Sequence, residues 1–165
     1  MQKHRNTYIV TENWIKCDER KTRAGNVFFI GPRIYSYGSH FVMAERIHNA
    51  KGAVAYFVNS NTYSATTNAH QAVVRRALGG VTDPVFTFPF AKDWEVPDVT
   101  DKAVLRVIVN GMLTDAKNKL ASAKRARTYK DMHLCDAAQR LREAARMSDF
   151  FKLGVRIPKQ LMEAA

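Results

Sequence analysis

The stretch Val27-Phe28-Phe29-Ile30-Gly31-Pro32-Arg33-Ile34-Tyr35-Ser36-Tyr37 holds two β-rich runs separated by a two-residue breaker. Aromatic and β-branched residues suit a pleated, half-buried surface, so Gly31-Pro32 predicts a hairpin between the runs. Alternation along the second strand predicts Arg33, Tyr35 and Tyr37 on one face, with Ile34 and Ser36 on the other. A guanidinium and two phenol rings in a row form a stacking platform on which bases lie, with arginine on the backbone. The same alternation equally suits a hairpin whose tyrosines cover their own core.

Working outward, Tyr8, Ile9, Val10, Trp14 and Ile15 predict a first strand within residues 8–15. A polar stretch follows, closed by the turn signal Ala24-Gly25-Asn26. Downstream of the hairpin, Gly38 allows a tight bend before Phe41-Val42-Met43-Ala44. Asn49-Ala50-Lys51-Gly52 marks a turn, and Ala53 to Val58 predicts a strong strand closed by Asn59-Ser60-Asn61. Thr66 or Thr67 is expected to cap a helix over 69–78, which Gly79-Gly80 ends. Val85 to Phe90 reads as a short extended segment that Pro84 and Pro89 keep out of the middle of a sheet. Trp94 to Pro97 then reads as a linker.

From Asp101 the period changes. Leu105, Ile108, Met112, Ala116, Leu120 and Ala123 recur at three and four residues, the spacing of an amphipathic helix. A second helix is expected from Lys130 to Phe151, stopped by Gly154, and Pro158 suits the first turn of a short helix ending at Ala165. The fold class is therefore α+β: a small antiparallel β-sheet with a short helix, followed by two longer helices and a short C-terminal helix. A β-rich region, 1–98, is expected to precede a basic helical region, 99–165, within one compact unit.

The chain has 165 residues, 46% of them apolar and 10% aromatic, enough for a packed core. Its 26 Lys and Arg against 15 acidic residues give a formal charge of +11. Such an excess costs self-repulsion and points to a polyanionic partner. Between Asp115 and Lys159, twelve basic residues face five acidic ones, and Lys124, Arg125, Arg127 and Lys130 crowd the join between the two predicted helices. No helix-turn-helix, zinc-finger, RNP or KH signature accompanies this charge, so sequence-specific reading is not expected. RNA or single-stranded DNA is favoured over duplex as the partner.

Two short stretches echo each other: Tyr35-Ser36-Tyr37-Gly38-Ser39-His40 and Tyr63-Ser64-Ala65-Thr66-Thr67-Asn68-Ala69-His70. Each opens on Tyr-Ser and closes on histidine, and arginines follow at Arg46 and at Arg75 and Arg76. Hydroxyl, imidazole and guanidinium groups hold phosphate oxygens. A threonine-capped helix would add first-turn N–H groups near His70, with Gln71 and Arg75 extending a polar face. The candidate nucleic-acid contacts are thus Arg33, Tyr35, Tyr37, His40, Thr66, Thr67, His70, Arg75 and Arg76, besides the four cations at the helix join. His40 and His70 are also candidates for an acid–base pair in metal-independent phosphodiester cleavage.

Several classes are disfavoured. Cys17 and Cys135 form no Cys-x-x-Cys pair, and His133-Leu134-Cys135 alone does not make a zinc site. No Gly-x-Ser-x-Gly elbow, phosphate-binding glycine loop or carboxylate cluster is present, so neither a cofactor nor a metal is expected. No apolar run of about 18 residues or more spans a membrane, and no signal peptide is visible, so a cytoplasmic protein with no membrane partner is expected.

The segments Ile34-Tyr35-Ser36-Tyr37-Gly38-Ser39-His40-Phe41 and Tyr63 to His70 resemble a group of uncharacterised bacteriophage and plasmid proteins. These carry a similar YSYG-x-HF segment, a valine-rich strand with Asn, and YS-x-TT-x-x-H before a basic helix. The resemblance covers roughly residues 27 to 78 and implies a mobile-element origin acting in a host cell rather than a reaction. It also implies a rival role, in which the protein inhibits or adapts a host nucleoprotein complex, as anti-CRISPR-type inhibitors do.

Overall fold

A computed structural model describes residues 2–91 and 95–163, with side chains from residue 6 onward. Trp94, where the linker was expected to begin, and Ala165, the expected end of the last helix, lie outside the described residues. The chain forms two compact units, Met1–Pro97 and Asp98–Ala165.

The first unit opens with helix α1 (Gln2–Lys16), not with the strand expected over 8–15. Among its described side chains, Thr7, Val10, Thr11 and Trp14 are buried. Their spacing is helical, but two of the four are threonines, so the apolar residues alone conceal the period. The Thr11 hydroxyl donates to the Thr7 carbonyl at 3.0 Å, which lets it sit inside the helix without an open hydrogen bond. Trp14 buries its ring against Tyr56 and donates its indole N–H to the Pro32 carbonyl at 2.8 Å, tying α1 to the hairpin turn.

Six strands follow in a sheet whose spatial order is the chain order: β1 (Arg23–Ala24), β2 (Val27–Ile30), β3 (Arg33–Ser36), β4 (Val42–His48), β5 (Val54–Asn59) and β6 (Val85–Phe88). Between β2 and β3 the hairpin has the expected register, with Ile30 opposite Arg33 across Gly31-Pro32. Gly31 has φ +52°, and proline follows with its fixed negative φ, as a two-residue turn matched to strand twist requires. Against β4, Ile34 pairs with Ala44 and Tyr35 with Val42, so Met43 is an extra residue, a bulge that bends the strand.

The sheet is not wholly antiparallel. β6 pairs with β5 in parallel, because α2 (Ala65–Leu78) carries the chain back before β6 begins. As Pro84 and Pro89 suggested, β6 lies at the edge. Val27, Phe29, Ile34, Tyr56 and Val58 form one core with Val10 and Trp14 of α1 and Val74 and Leu78 of α2. On alternate positions, Phe28 stacks on Tyr35 and Phe57 packs edge-on to Phe86 and Phe88.

The second unit is a pair of long helices and a short one. Helix α3 (Lys102–Arg125) starts at Asp101, whose carboxylate accepts from the N–H groups of Ala103 and Val104. Its buried stripe is Leu105, Val109, Met112, Leu113, Ala116, Leu120 and Ala123, close to the pattern that the sequence predicts. Helix α4 (Lys130–Phe151) packs against it through Ala137, Leu141, Ala144 and Met147, and has the predicted bounds. Its stop is not Gly154: Lys152 takes a left-handed conformation, and the Leu153 N–H turns back to the Ser148 carbonyl at 2.9 Å. Pro158 precedes the short α5 (Lys159–Glu163).

Candidate nucleic-acid interface

The two Tyr-Ser/His echoes meet in space. Ser36, at the end of β3, points to the face that α2 covers, and its hydroxyl lies 2.8 Å from His70 Nδ1. Both groups are buried, Ser36 at 0% and His70 at 7% exposure, so this bond joins strand to helix in a place closed to solvent.

Alternation along β3 breaks immediately after Ser36. Tyr37 has φ +62°, a left-handed conformation uncommon for a non-glycine residue. Instead of joining Tyr35 on the opposite face, the Tyr37 ring sits 5.8 Å from the His70 ring. Gly38, at φ +133°, completes the bend, and any side chain there would press on His40 Nδ1 at 3.1 Å. His40 in turn meets the Tyr63 ring edge-on at 6.4 Å, and Tyr63 also packs on Phe41. Each echo therefore gives a tyrosine to the histidine of the other. Tyr37 is 46% and Tyr63 60% exposed, so the junction is buried at its base and aromatic at its crest.

A buried amide network holds the loop that carries Tyr63. Asn59 donates to the Val42 carbonyl at 3.0 Å while its Oδ1 accepts from the Asn61 N–H at 2.9 Å. Gln71 donates from Nε2 to the Asn59 and Asn61 carbonyls at 2.9 and 3.1 Å. Gln71 is thus an internal strut, not part of a polar surface shared with Arg75.

Helix α2 begins earlier than the threonines suggest. Ser64 is its cap, accepting from the Thr67 N–H at 3.2 Å and donating to the Thr67 hydroxyl at 3.0 Å. Thr67 is consequently buried, whereas Thr66 is exposed in the first turn. Arg75 and Arg76 are exposed in the last turn of the helix, at the opposite end from Thr66.

The row Arg33-Tyr35-Tyr37 does not form a continuous exposed platform. Tyr35 is buried against Phe28, and Tyr37 leaves its face. Arg33 lies opposite Glu45 in the ladder and donates to its carboxylate at 2.7 Å. That bond raises the guanidinium pKa further and occupies its charge. The exposed rings come instead from Tyr37, His40 and Tyr63. Tyr63 opens the second echo, and its position directly before the helix cap is the signal that could have found it.

In the second unit, Asp115 and Glu143 are both bonded to Arg140, at 3.0 and 2.9 Å, and Asp136 holds Lys119 at 3.1 Å. Lys124 and Arg125 end α3, Arg127 lies in the connection, and Lys130 begins α4. All four are exposed, and none forms an ion pair with a described residue. Tyr129, left-handed at φ +65°, stands among them at 69% exposure.

Among the described residues no group of three or more His, Cys, Asp or Glu side chains is arranged to hold a metal ion, and no helix is long and apolar enough to cross a membrane. Compared with protein-family models, with curated proteins and with solved structures, the chain matches none.

Proposed function

We propose that this protein binds nucleic acid with low sequence specificity, taking single strands or RNA in preference to duplex. The observation that carries this reading is the cluster Lys124, Arg125, Arg127 and Lys130: four exposed cations at one helix join, none of them ion-paired to a described residue, with Asp131 the single acidic residue between Asp115 and Asp136. Fixed, unpaired charges of one sign attract a phosphate backbone and release its counterions. Exposed Tyr37, His40, Tyr63 and Tyr129 supply rings on which unpaired bases stack, and bases inside a duplex present no free face. Neither element reads a base edge by a fixed donor and acceptor pattern, so the binding is sequence-tolerant.

The His40/His70 pair fits a positioning role better than acid–base cleavage. His70 is buried and its Nδ1 is engaged by Ser36, which leaves little access for a phosphodiester. A mobile-element origin, acting in a host cell, rests on the resemblance of residues 27 to 78 alone.

The test is a fluorescence-anisotropy titration with labelled single-stranded DNA, RNA and duplex DNA at two salt concentrations, with the same samples run on a gel. Affinity should fall by about 0.7 log units per log unit of salt for each single-strand phosphate contacted, without cleavage. Absence of binding to all three at low salt overturns the reading and turns the search toward a nucleoprotein complex as partner. Cleavage of any of them would overturn the non-catalytic part.

A further inference from the structure

Beside the cationic join runs a groove of 510 Å³ between α3, α4 and α5. We infer that it seats an unpaired nucleobase, with the flanking phosphates on Lys117, Lys124 and Lys130; the inference rests on the binding role proposed above and gives it a subsite.

The α3 wall is a single stripe, since Lys117, Leu120, Ala121 and Lys124 fall at the three- and four-residue spacing that places side chains on one face. Lys130 and Leu134 repeat that spacing on α4, and Leu161 and Gln160 close the α5 side. Lysines therefore stand at both ends of the α3 stripe and at the head of α4, with leucines between them. This pairing of an apolar recess and anionic attraction matches a base with its phosphates. None of the three lysines is ion-paired to a described carboxylate, so their charges are available to a ligand.

The volume lies within the range of small-ligand recesses, about 300–1,000 Å³, and admits a base with its sugar. A paired base cannot enter, because its faces and edges are taken up in the duplex. Gln160 brings an amide that both donates and accepts, the chemistry of a base edge. Tyr129, next in the chain to Lys130 and largely exposed, offers a ring for the adjoining base.

The test compares fluorescein-labelled oligothymidylate with an oligomer of the same length in which every base is replaced by an abasic spacer. Both are titrated at low salt against the wild-type protein and Ala121→Trp. Ala121 is exposed, so the indole fills the groove without entering the core. The substitution should weaken oligothymidylate by about tenfold and the abasic oligomer by less than about twofold. Gln160→Ala, also at an exposed position, should reproduce the split at about threefold. Thermal melting by circular dichroism accompanies each variant, and a shifted Tm in Ala121→Trp makes Gln160→Ala the deciding variant.

Equal weakening of both oligomers, or no effect on either, overturns the base subsite while leaving the binding role intact. If the wild-type protein binds neither oligomer, the binding role itself fails and the subsite with it.

Discussion

The Tyr-Ser/His junction and the α3–α4 join handle polar groups in opposite ways. At the junction, hydroxyl, imidazole and amide groups turn inward and find partners: Ser36 with His70, Gln71 with two carbonyls, Asn59 with Val42. At the join, four charged groups turn outward, with no ion-pair partner among the described residues. Buried polar groups that are fully satisfied fix one conformation, and their loss costs stability. Exposed unpaired charges contribute little to stability and are retained only at the cost of mutual repulsion. Resemblance in sequence therefore points to the junction, whereas the proposed phosphate contacts rest on the exposed charges of the join.

Stability should separate the two regions most sharply at Gln71. Replacing it with alanine leaves the Asn59 and Asn61 carbonyls without their donor and opens a void, at a cost of about 3 kcal/mol in a denaturant titration. Ser36→Ala removes the buried bond between Ser36 and His70 and should cost about 1–2 kcal/mol. By contrast, Arg127→Ala or Lys130→Ala should change stability by no more than about 0.5 kcal/mol. A loss of 2 kcal/mol or more in either of those two would mean that the join is structural, and the contrast would collapse.

Binding should separate the regions in the reverse order. Tyr63→Ala removes an exposed ring and should weaken single-strand binding by about 1 kcal/mol without altering its salt dependence. Lys130→Ala should act on the salt dependence itself, reducing the slope by about 0.7 if it contacts one phosphate. If Tyr63→Ala instead changes the slope, or Gln71→Ala weakens binding at a temperature where it remains folded, the crest and its buried base cannot be treated as separate functions.

Legibility in the sequence follows the same division. Helix α4 and the Gly31-Pro32 hairpin are local: a sustained 3.6-residue period and a two-residue turn specify them without reference to anything distant. Helix α1 was obscured because Thr7 and Thr11 complete its buried stripe, and a threonine is read as core only once its hydroxyl is known to bond within the helix. The parallel β5–β6 pairing depends on where α2 returns the chain, which residues 85–88 do not encode. At the site, the echo marked the right segments, but not which side chains face out. That depended on one left-handed residue, Tyr37, which strand alternation cannot anticipate. Burial of Tyr35 and the Arg33–Glu45 pair are likewise tertiary facts, fixed by which strands lie side by side.

The smallest expected effect is silent at neutral pH and concerns a single buried phenol. Burial raises the pKa of Tyr56 above its usual 10.0, because the phenolate would lose its water; Asp83 adds to the rise, whereas Arg46 opposes it. The folded protein therefore keeps a proton that the unfolded chain gives up first. Tyr56 thus favours the folded state fully below about pH 10, and that contribution is lost as pH rises through the folded pKa. Tyr56→Phe removes this linkage, so its stability should decline less steeply than that of the wild type above pH 10. Equal alkaline slopes for the two proteins in denaturant titrations would show that Tyr56 ionises as freely folded as unfolded. The inward-facing chemistry of the first unit would then be less sealed from water than its packing against Trp14 implies.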